Sequence, residues 1–533
     1  MVRPVRGLQV LLPGTRARLL AAFWALTLAV GVVGGLGQAQ GADQRPDLRI
    51  RLQFARPGGV YDPAYWRYTS DGWVYPAIFN QLVRKVPGTG GDLEPDLAES
   101  WEVSEDGTTY TFHLRQGVQF QRGYGEMTAD DVVFSIQRQM DDPEATFHSI
   151  YANVSEVAAV DDRTVRITLA EAQPSFLLAV LTNPNGAGFI VSRRAVEELG
   201  LEEFARHPVG TGPYALEEVT PTDEVVLASH DEYFGGTPSA RSITFVHVAE
   251  EAVAAAALER GELQAIYTRG NPEVAQELLN SSDIEAQTVV EYYNIMHIAF
   301  SPNFEPVQDV RVRQALAYAL DKSVIPLLLP GLDEPADVLR PSQLPGGTDD
   351  VPTYEYDPDR ARSLLSEAGQ EDLAFTLMFQ TREPEATIAQ WLADSWEAVG
   401  VSVTLEGAEA TTAHDMRTSG DFEVTFSATS RAGDPDYFFT DVLHSSSTGG
   451  AGSNFSGYSA ADDLIEEARY ELDPQRRQEL YEEIQRQVME DLPVIPLLYR
   501  AYVAAWREPI VSLVPDSTIQ FWPDTIEVAS GSP

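Results

Sequence analysis

The sequence predicts an α/β protein with several layers of helix over sheet, and three observations carry that reading. Short segments alternate apolar and polar residues with a period of two, as Leu48-Arg49-Ile50-Arg51-Leu52-Gln53-Phe54 and Tyr110-Thr111-Phe112-His113-Leu114-Arg115 do. In the second half, helical patterns lead straight into such strands: the run holding Ile388, Trp391, Leu392 and Trp396 precedes Val401-Ser402-Val403-Thr404-Leu405. Finally, 533 residues with 44% apolar content suffice for several cores, about three domains by length.

The first 41 residues differ from the rest. Arg3, Arg6, Arg16 and Arg18 precede an apolar run from Leu19 to Val33, and small residues follow up to Ala39-Gln40-Gly41. That order predicts a signal peptide over residues 1–41 and export to the periplasm or the medium. No later run reaches the ~20 apolar residues of a membrane span. Leu48–Phe54 then predicts a first strand. Tyr61-Asp62-Pro63-Ala64-Tyr65-Trp66-Arg67-Tyr68-Thr69-Ser70-Asp71-Gly72-Trp73 mixes aromatic with small polar residues, the composition of a pocket for a partly polar ligand. From this segment Tyr68, Thr69, Ser70 and Trp73 are candidate ligand contacts.

Alternation over Tyr110–Arg115 places His113 on a polar face with Thr111 and Arg115. Thr128-Ala129-Asp130-Asp131 predicts a capping box, with a helix behind it burying Val132, Val133, Ile136 and Met140. A strand follows at Thr164–Leu169. His207-Pro208-Val209-Gly210-Thr211-Gly212-Pro213-Tyr214 lacks the G-x-x-x-x-G-K spacing of a phosphate loop and predicts a tight connection into a strand. Asp309 caps a helix burying Val312, Ala315, Leu316, Ala319 and Leu320. Asp357-Pro358 starts another, with Gly369 just past its end. A helix over residues 474–489 buries Leu480, Tyr481, Ile484 and Val488. Pro493–Tyr499 predicts an extended segment whose prolines suit a sheet edge or a crossing between lobes.

Composition excludes much chemistry. Cysteine is absent, which removes disulfides, thiolate catalysis and a lipobox. The net charge is −44, and removal of the leader, with four arginines and no acids, takes it to −48. So acidic a surface repels nucleic acid and anionic lipid. The eight histidines show neither H-E-x-x-H nor an i, i+4 pair, and there is no G-x-S-x-G elbow. The sequence therefore predicts no catalytic residue, no metal site and no cofactor. Only Lys85 and Lys322 are lysines, so arginine carries almost all the positive charge.

Against that background one stretch stands out. Thr429-Ser430-Arg431-Ala432-Gly433-Asp434-Pro435-Asp436-Tyr437 follows the alternating Phe422-Val424-Phe426 and predicts a loop presenting polar groups at a cleft.

Several motifs together resemble the family 5 extracellular solute-binding proteins of ABC importers, the dipeptide-, oligopeptide- and nickel-binding group. They are Leu93-Glu94-Pro95-Asp96-Leu97-Ala98-Glu99-Ser100-Trp101 with Met127-Thr128-Ala129-Asp130-Asp131-Val132, Gly210–Tyr214, Asp309–Ala315 with Asp321-Lys322, Tyr356-Asp357-Pro358, and Asp434-Pro435. The resemblance implies a two-lobed periplasmic-binding-protein-like fold of class II with an extra domain inserted in the first lobe. Lobe one would be residues 43–72, 196–272 and 495–533, the insertion 73–195 and lobe two 273–494, with crossings near Tyr267-Thr268-Arg269 and Pro493–Leu498.

It further implies a monomer that captures a small solute, peptide-like or an oligosaccharide or anionic organic molecule, by hinge closure and delivers it to an ABC permease, its only link to the membrane, with ATP hydrolysed by separate subunits. A chemosensory protein of the same fold, or a secreted carbohydrate-active or peptide-cleaving enzyme, are the alternatives.

The resemblance also marks departures. Peptide binders of the family carry an acid three residues before the Asp-Pro turn, where this chain has Arg431. The usual aromatic is Ala428 and the usual Asn is Ser301. Arg382 falls near the position that holds a peptide carboxylate. Arg431 and Arg382, with Asp434, are therefore the candidate contacts for an anionic or oxygen-rich solute.

Overall fold

The computed structural model describes residues 43–52, 60–65, 71–89, 92–182, 186–220, 224–431, 433–449, 452–516 and 521–529. The leader over residues 1–41 and the candidate contacts Tyr68, Thr69 and Ser70 lie outside them.

Strands in chain order are β1 (Asp47–Leu52), β2 (Ala98–Val103), β3 (Thr109–Leu114), β4 (Val154–Asp161), β5 (Thr164–Leu169), β6 (Tyr214–Val219), β7 (Val225–Ser229), β8 (Ser242–His247), β9 (Ala265–Thr268), β10 (Glu285–Phe300), β11 (Ala374–Gln380), β12 (Ser402–Ala408), β13 (Val424–Ser430) and β14 (Val494–Trp506). Among the described residues, eleven strands join one sheet in the order β6-β7-β8-β1-β9-β14-β10-β13-β11-β12, with the short strand Glu334–Pro335 pairing off this path with β14. A separate four-stranded sheet runs β2-β3-β5-β4. The predicted α/β class is what the chain adopts.

The large sheet is mixed. β1 lies parallel to β8 and β9, and β11 lies parallel to β12 and β13. The long strands β10 and β14 run antiparallel through the middle and are paired from Glu285–Trp506 to Ala299–Val494. All thirteen residues of β14 are buried. Pro496 pairs with His297 of β10 on one side only, since β9 reaches just residues 503–506 of β14 and Glu334–Pro335 just Tyr499 and Leu498; the missing proline N–H therefore falls where the strand has no second neighbour, as the edge reading requires.

Side chains of the middle strands serve two separate hydrophobic cores. Val503 and Ala505 of β14 join the core built around Leu316, Leu392, Trp396 and Ile484. Tyr502, Ala504 and Trp506 join the core around Ile50, Phe79, Phe112 and Phe245. The period of two along an extended strand makes this possible.

Helix starts follow local chemistry. Asp309, Asp357 and Asp473 each accept from a backbone N–H two or three residues on, at 2.9, 2.9 and 2.8 Å. At the Thr128 start, Asp131 accepts from the Thr128 N–H at 3.0 Å, the return half of a capping box. The helix Pro474–Asp491 buries Leu480, Tyr481, Ile484 and Val488 as its periodicity predicts.

The Gly210-Thr211-Gly212 connection needs its glycines because a Cβ on Gly210 would lie 2.1 Å from the Ile78 carbonyl oxygen. One strand departs from expectation. Arg51 stands on the polar side of the alternation in β1 but is 1% exposed, because the segment after β8 and the end of β9 close over that face. Its guanidinium is met by the carbonyls of Val248 (2.9 Å), Ala249 (3.0 Å) and Tyr267.

Candidate functional site

β11 and β13 are adjacent and parallel, with Leu377 opposite Val424, so their carboxyl ends reach the same edge of the sheet. Arg382 follows one and Arg431 the other. The topology therefore brings together two arginines that are 49 positions apart in the sequence. Binding sites of mixed α/β sheets favour this carboxyl edge, where loops are free of the ladder.

The two arginines are held differently. Arg382 is 55% exposed and donates through Nη2 to Glu385 Oε1 at 2.6 Å. Its Nε and Nη1 make no hydrogen bond among the described residues. Arg431 is 24% exposed; Nη2 lies 2.7 Å from Asp441 Oδ2 and Nη1 donates to the Ser430 carbonyl at 2.9 Å. Its guanidinium carbon sits 5.2 Å from the centre of the Tyr437 ring, within cation–π range. Nε has no partner among the described residues.

The loop beneath Arg431 is fixed by four contacts. The Arg431 N–H donates to the Tyr293 carbonyl of β10 at 3.0 Å. The Gly433 carbonyl accepts from Arg340 Nη2 at 2.8 Å. Asp434 caps the helix Pro435–Leu443 by accepting from the Asp436 N–H at 2.9 Å. Arg477 grips both Asp434 oxygens, at 2.7 and 2.8 Å. Asp434 is 4% exposed, so its carboxylate is committed to the loop's own architecture.

Arg340 is 2% exposed, and burial pulls its guanidinium down to about 10 while Tyr293 and Asp434 pull it back up. It stacks 5.4 Å over the Tyr293 ring.

A second charged group lies beside this edge, on the middle strands. Glu291 of β10 stands opposite Arg500 of β14, where the register shifts between Glu291 and Ile295. Arg269 pairs with Glu291, and Asn294 Nδ2 donates to Glu291 Oε2 at 2.8 Å. Arg500 Nε is 3.5 Å from Asp333 Oδ1, and its Nη1 is 3.7 Å from Glu385 Oε1. Burial pushes the Glu291 carboxyl up and Arg269 draws it back; Asp333 is likewise pushed up by burial and drawn back by Arg500. Glu385 links the groups, because the same oxygen accepts from Arg382.

Trp73 is 6% exposed. It packs edge-on to Tyr267 at 4.5 Å and parallel to Phe521 at 6.0 Å, so it is a wall of the aromatic core beside β9. Lys85 is 5% exposed. Burial lowers it to about 8 against the pull of Asp516. Among the described residues no group of three or more His, Cys, Asp or Glu could hold a metal ion, and no helix is long and apolar enough to cross a membrane.

Arg340, Arg477, Glu291, Glu385 and Arg500 escaped the sequence reading. Arg500 did leave a signal, as the only charged residue in Val494–Trp506. A lone charge in a fully apolar strand implies a buried partner.

Three comparisons bear on these features. Residues 92–450 match the model of bacterial extracellular solute-binding proteins, family 5 Middle. The chain is 31% identical over 478 residues to the dipeptide-binding protein of Escherichia coli K12, covering 82% of this chain and 86% of that one. Among solved structures, HbpA2 from Haemophilus parasuis gives a TM-score of 0.82 at 24% identity over 91% of this chain and 100% of the other. MoaA of A. tumefaciens R10, solved in complex with mannopinic acid, gives 0.71 at 30% identity over 91% and 99%.

Proposed function

Because the chain belongs to the family 5 bacterial extracellular solute-binding proteins, which bind solutes without transforming them, we propose that it is the exported receptor of an ABC importer. It captures a small solute between two lobes, closes by rotation about the middle strands, and hands the solute to a permease whose ATPase subunits are separate chains. Residues 43–72, 196–272 and 495–533 form one lobe carrying the insertion 73–195, and residues 273–494 form the other.

The solute is an anionic or oxygen-rich molecule, either peptide-like or a sugar acid. The observation that carries this reading is that Arg382 and Arg431 follow adjacent parallel strands at one sheet edge, with Nε and Nη1 of Arg382 unused. A guanidinium fork matches a carboxylate or vicinal hydroxyls and cannot pair with an ammonium. A solved relative that holds an acid, mannopinic acid, supports it.

Ligand-stripped protein is titrated calorimetrically with a dipeptide panel, neutral oligosaccharides and sugar acids, alongside Arg431→Asp. The strongest binder should carry a carboxylate and lose at least about tenfold in affinity in the variant, as expected for one charge-assisted contact. Equal affinity in the two proteins would sink the assignment of Arg431 to the solute.

A further inference from the structure

Charges of alternating sign form a row from the arginine edge to the middle of the large sheet. Arg382 is followed by Glu385, Arg500, Glu291 and Arg269, with Asp333 as a second acid on Arg500. Arg382 follows β11 and Glu385 opens the helix Glu385–Glu397, both within the span 273–494. Arg500 and Glu291 stand opposite each other on β14 and β10. Arg269 follows β9, where its N–H donates to Glu251 Oε1 at 2.9 Å.

Bonding along the row is uneven. At one end Arg382 Nη2 donates to Glu385 Oε1 at 2.6 Å, and at the other Arg269 pairs with Glu291. The middle is slack. Arg500 Nη1 lies 3.7 Å from Glu385 Oε1 and Nε lies 3.5 Å from Asp333 Oδ1, both longer than the ~2.7–2.9 Å of a charged hydrogen bond. Arg500 Nη1, Glu385 Oε2 and Asp333 Oδ2 are buried without a hydrogen-bond partner among the described residues. Charged groups so sealed gain more from one further bond than exposed ions do.

Glu385 stands between a partner that can leave and one that cannot. Arg382 is 55% exposed and can exchange the carboxylate for an anion arriving from solvent. Glu385 is 4% exposed, and once Arg382 is taken its remaining ion-pair partner among the described residues is Arg500. Arg500 is free to meet it. Glu291 keeps Arg269 and the Asn294 amide, and Asp333 keeps the Ala501 N–H at 2.8 Å, so neither acid is stranded by the shift.

We propose that Glu385 is a positioning residue that relays occupancy of the edge to the middle strands: when an anion takes the Arg382 guanidinium, Glu385 closes on Arg500 and fastens the helix Glu385–Glu397 to β14. Glu385 itself does not touch the solute. The trigger rests on the reading of Arg382 as a solute contact; the relay can be tested without any solute.

Arg382→Gln removes the pull of the arginine and stands in for its capture by an anion. Hydrogen exchange read by mass spectrometry compares the unliganded full chain, Arg382→Gln, and Arg382→Gln combined with Glu385→Gln. Amides of residues 385–391 and 494–501 should exchange at least about threefold more slowly in Arg382→Gln than in the native chain, the effect of one net hydrogen bond gained. The slowing should vanish in the double variant. Loss of a merely structural ion pair leaves exchange unchanged or faster, so the direction of the change is diagnostic. A crystal structure of Arg382→Gln should bring a Glu385 oxygen within ~3.2 Å of Arg500 Nη1.

Should the double variant not fold, Arg382→Gln with Glu385→Asp replaces it; the carboxylate is then one carbon too short, and the slowing should again be lost. Exchange that is unchanged or faster in Arg382→Gln, or slowing that survives either change at Glu385, overturns the relay. The trigger is judged apart, by calorimetry of Arg382→Gln with the dipeptides and sugar acids of the panel. Unchanged affinity there removes Arg382 as a solute contact, whatever the exchange shows.

Discussion

Two sets of arginines sit close together on the large sheet and are held in opposite ways. Arg382 and Arg431 end their strands at the open edge, 55% and 24% exposed, and each leaves N–H groups unused. Arg500 is 5% exposed and, with Arg269, lies among Glu291, Asp333 and Glu385, themselves 1%, 3% and 4% exposed. The same side chain can thus be a contact that exchanges partners or a fixture that cannot. Exposure separates Arg382 from Arg500, with Arg431 and Arg269 at 24% and 22% between them: a half-solvated guanidinium trades one acceptor for another at little cost, whereas a sealed one leaves uncompensated charge if its partner goes.

The sharpest way to break this contrast is Arg500→Ala. It strands buried carboxylates and should cost about 3–5 kcal/mol in urea denaturation. A loss below ~1 kcal/mol would show that these groups are hydrated. Arg477→Ala comes next. It removes the fork on buried Asp434 and should cost about 2–4 kcal/mol, while Asp434→Asn keeps an N-cap oxygen and costs less.

His297 gives a third test. It is fully buried on β10, and burial, with Arg417 adding, lowers it to about 4 from an ordinary 6.5. The unfolded chain then binds the proton first, so stability is retained above pH 6.5 and is lost as pH falls from there toward 4. Between pH 7 and 5 the loss should be about 2 kcal/mol, and His297→Phe should remove that share of the slope.

The smallest expected stability effect belongs to the edge: Arg382→Gln and Arg431→Gln should each move stability by less than ~1 kcal/mol, yet weaken solute binding measured by calorimetry. A large stability loss in either would make it a fixture like Arg500.

The features legible in the sequence are those set by near neighbours. The caps at Asp309 and Asp357 could be read because an N-cap needs only residues two or three positions on. Alternation in β3 could be read because Tyr110, Phe112 and Leu114 bury one face while Thr111 and His113 stay half-exposed. The same rule failed at Arg51, because alternation assigns a charge to solvent only when one face of the strand is open.

At the site, the meeting of Arg382 with Arg431 follows from parallel pairing of β11 with β13, which no spacing reveals. Pairing of Arg431 with Asp441 instead of Asp434 or Asp436 follows from Asp434 being claimed by Arg477 and Asp436 by Arg469.

One strand carries a mechanical consequence. β14 sends alternate side chains into two cores and is hydrogen-bonded to β9 and β10 on its two sides. A force drawing the cores apart along that strand would load many parallel hydrogen bonds together, as shear, so no single bond fails first. A force twisting one core against the other meets only the torsions of the strand and the gap in its ladder between Glu291 and Ile295. Stretching and twisting therefore meet different sets of bonds at the same strand.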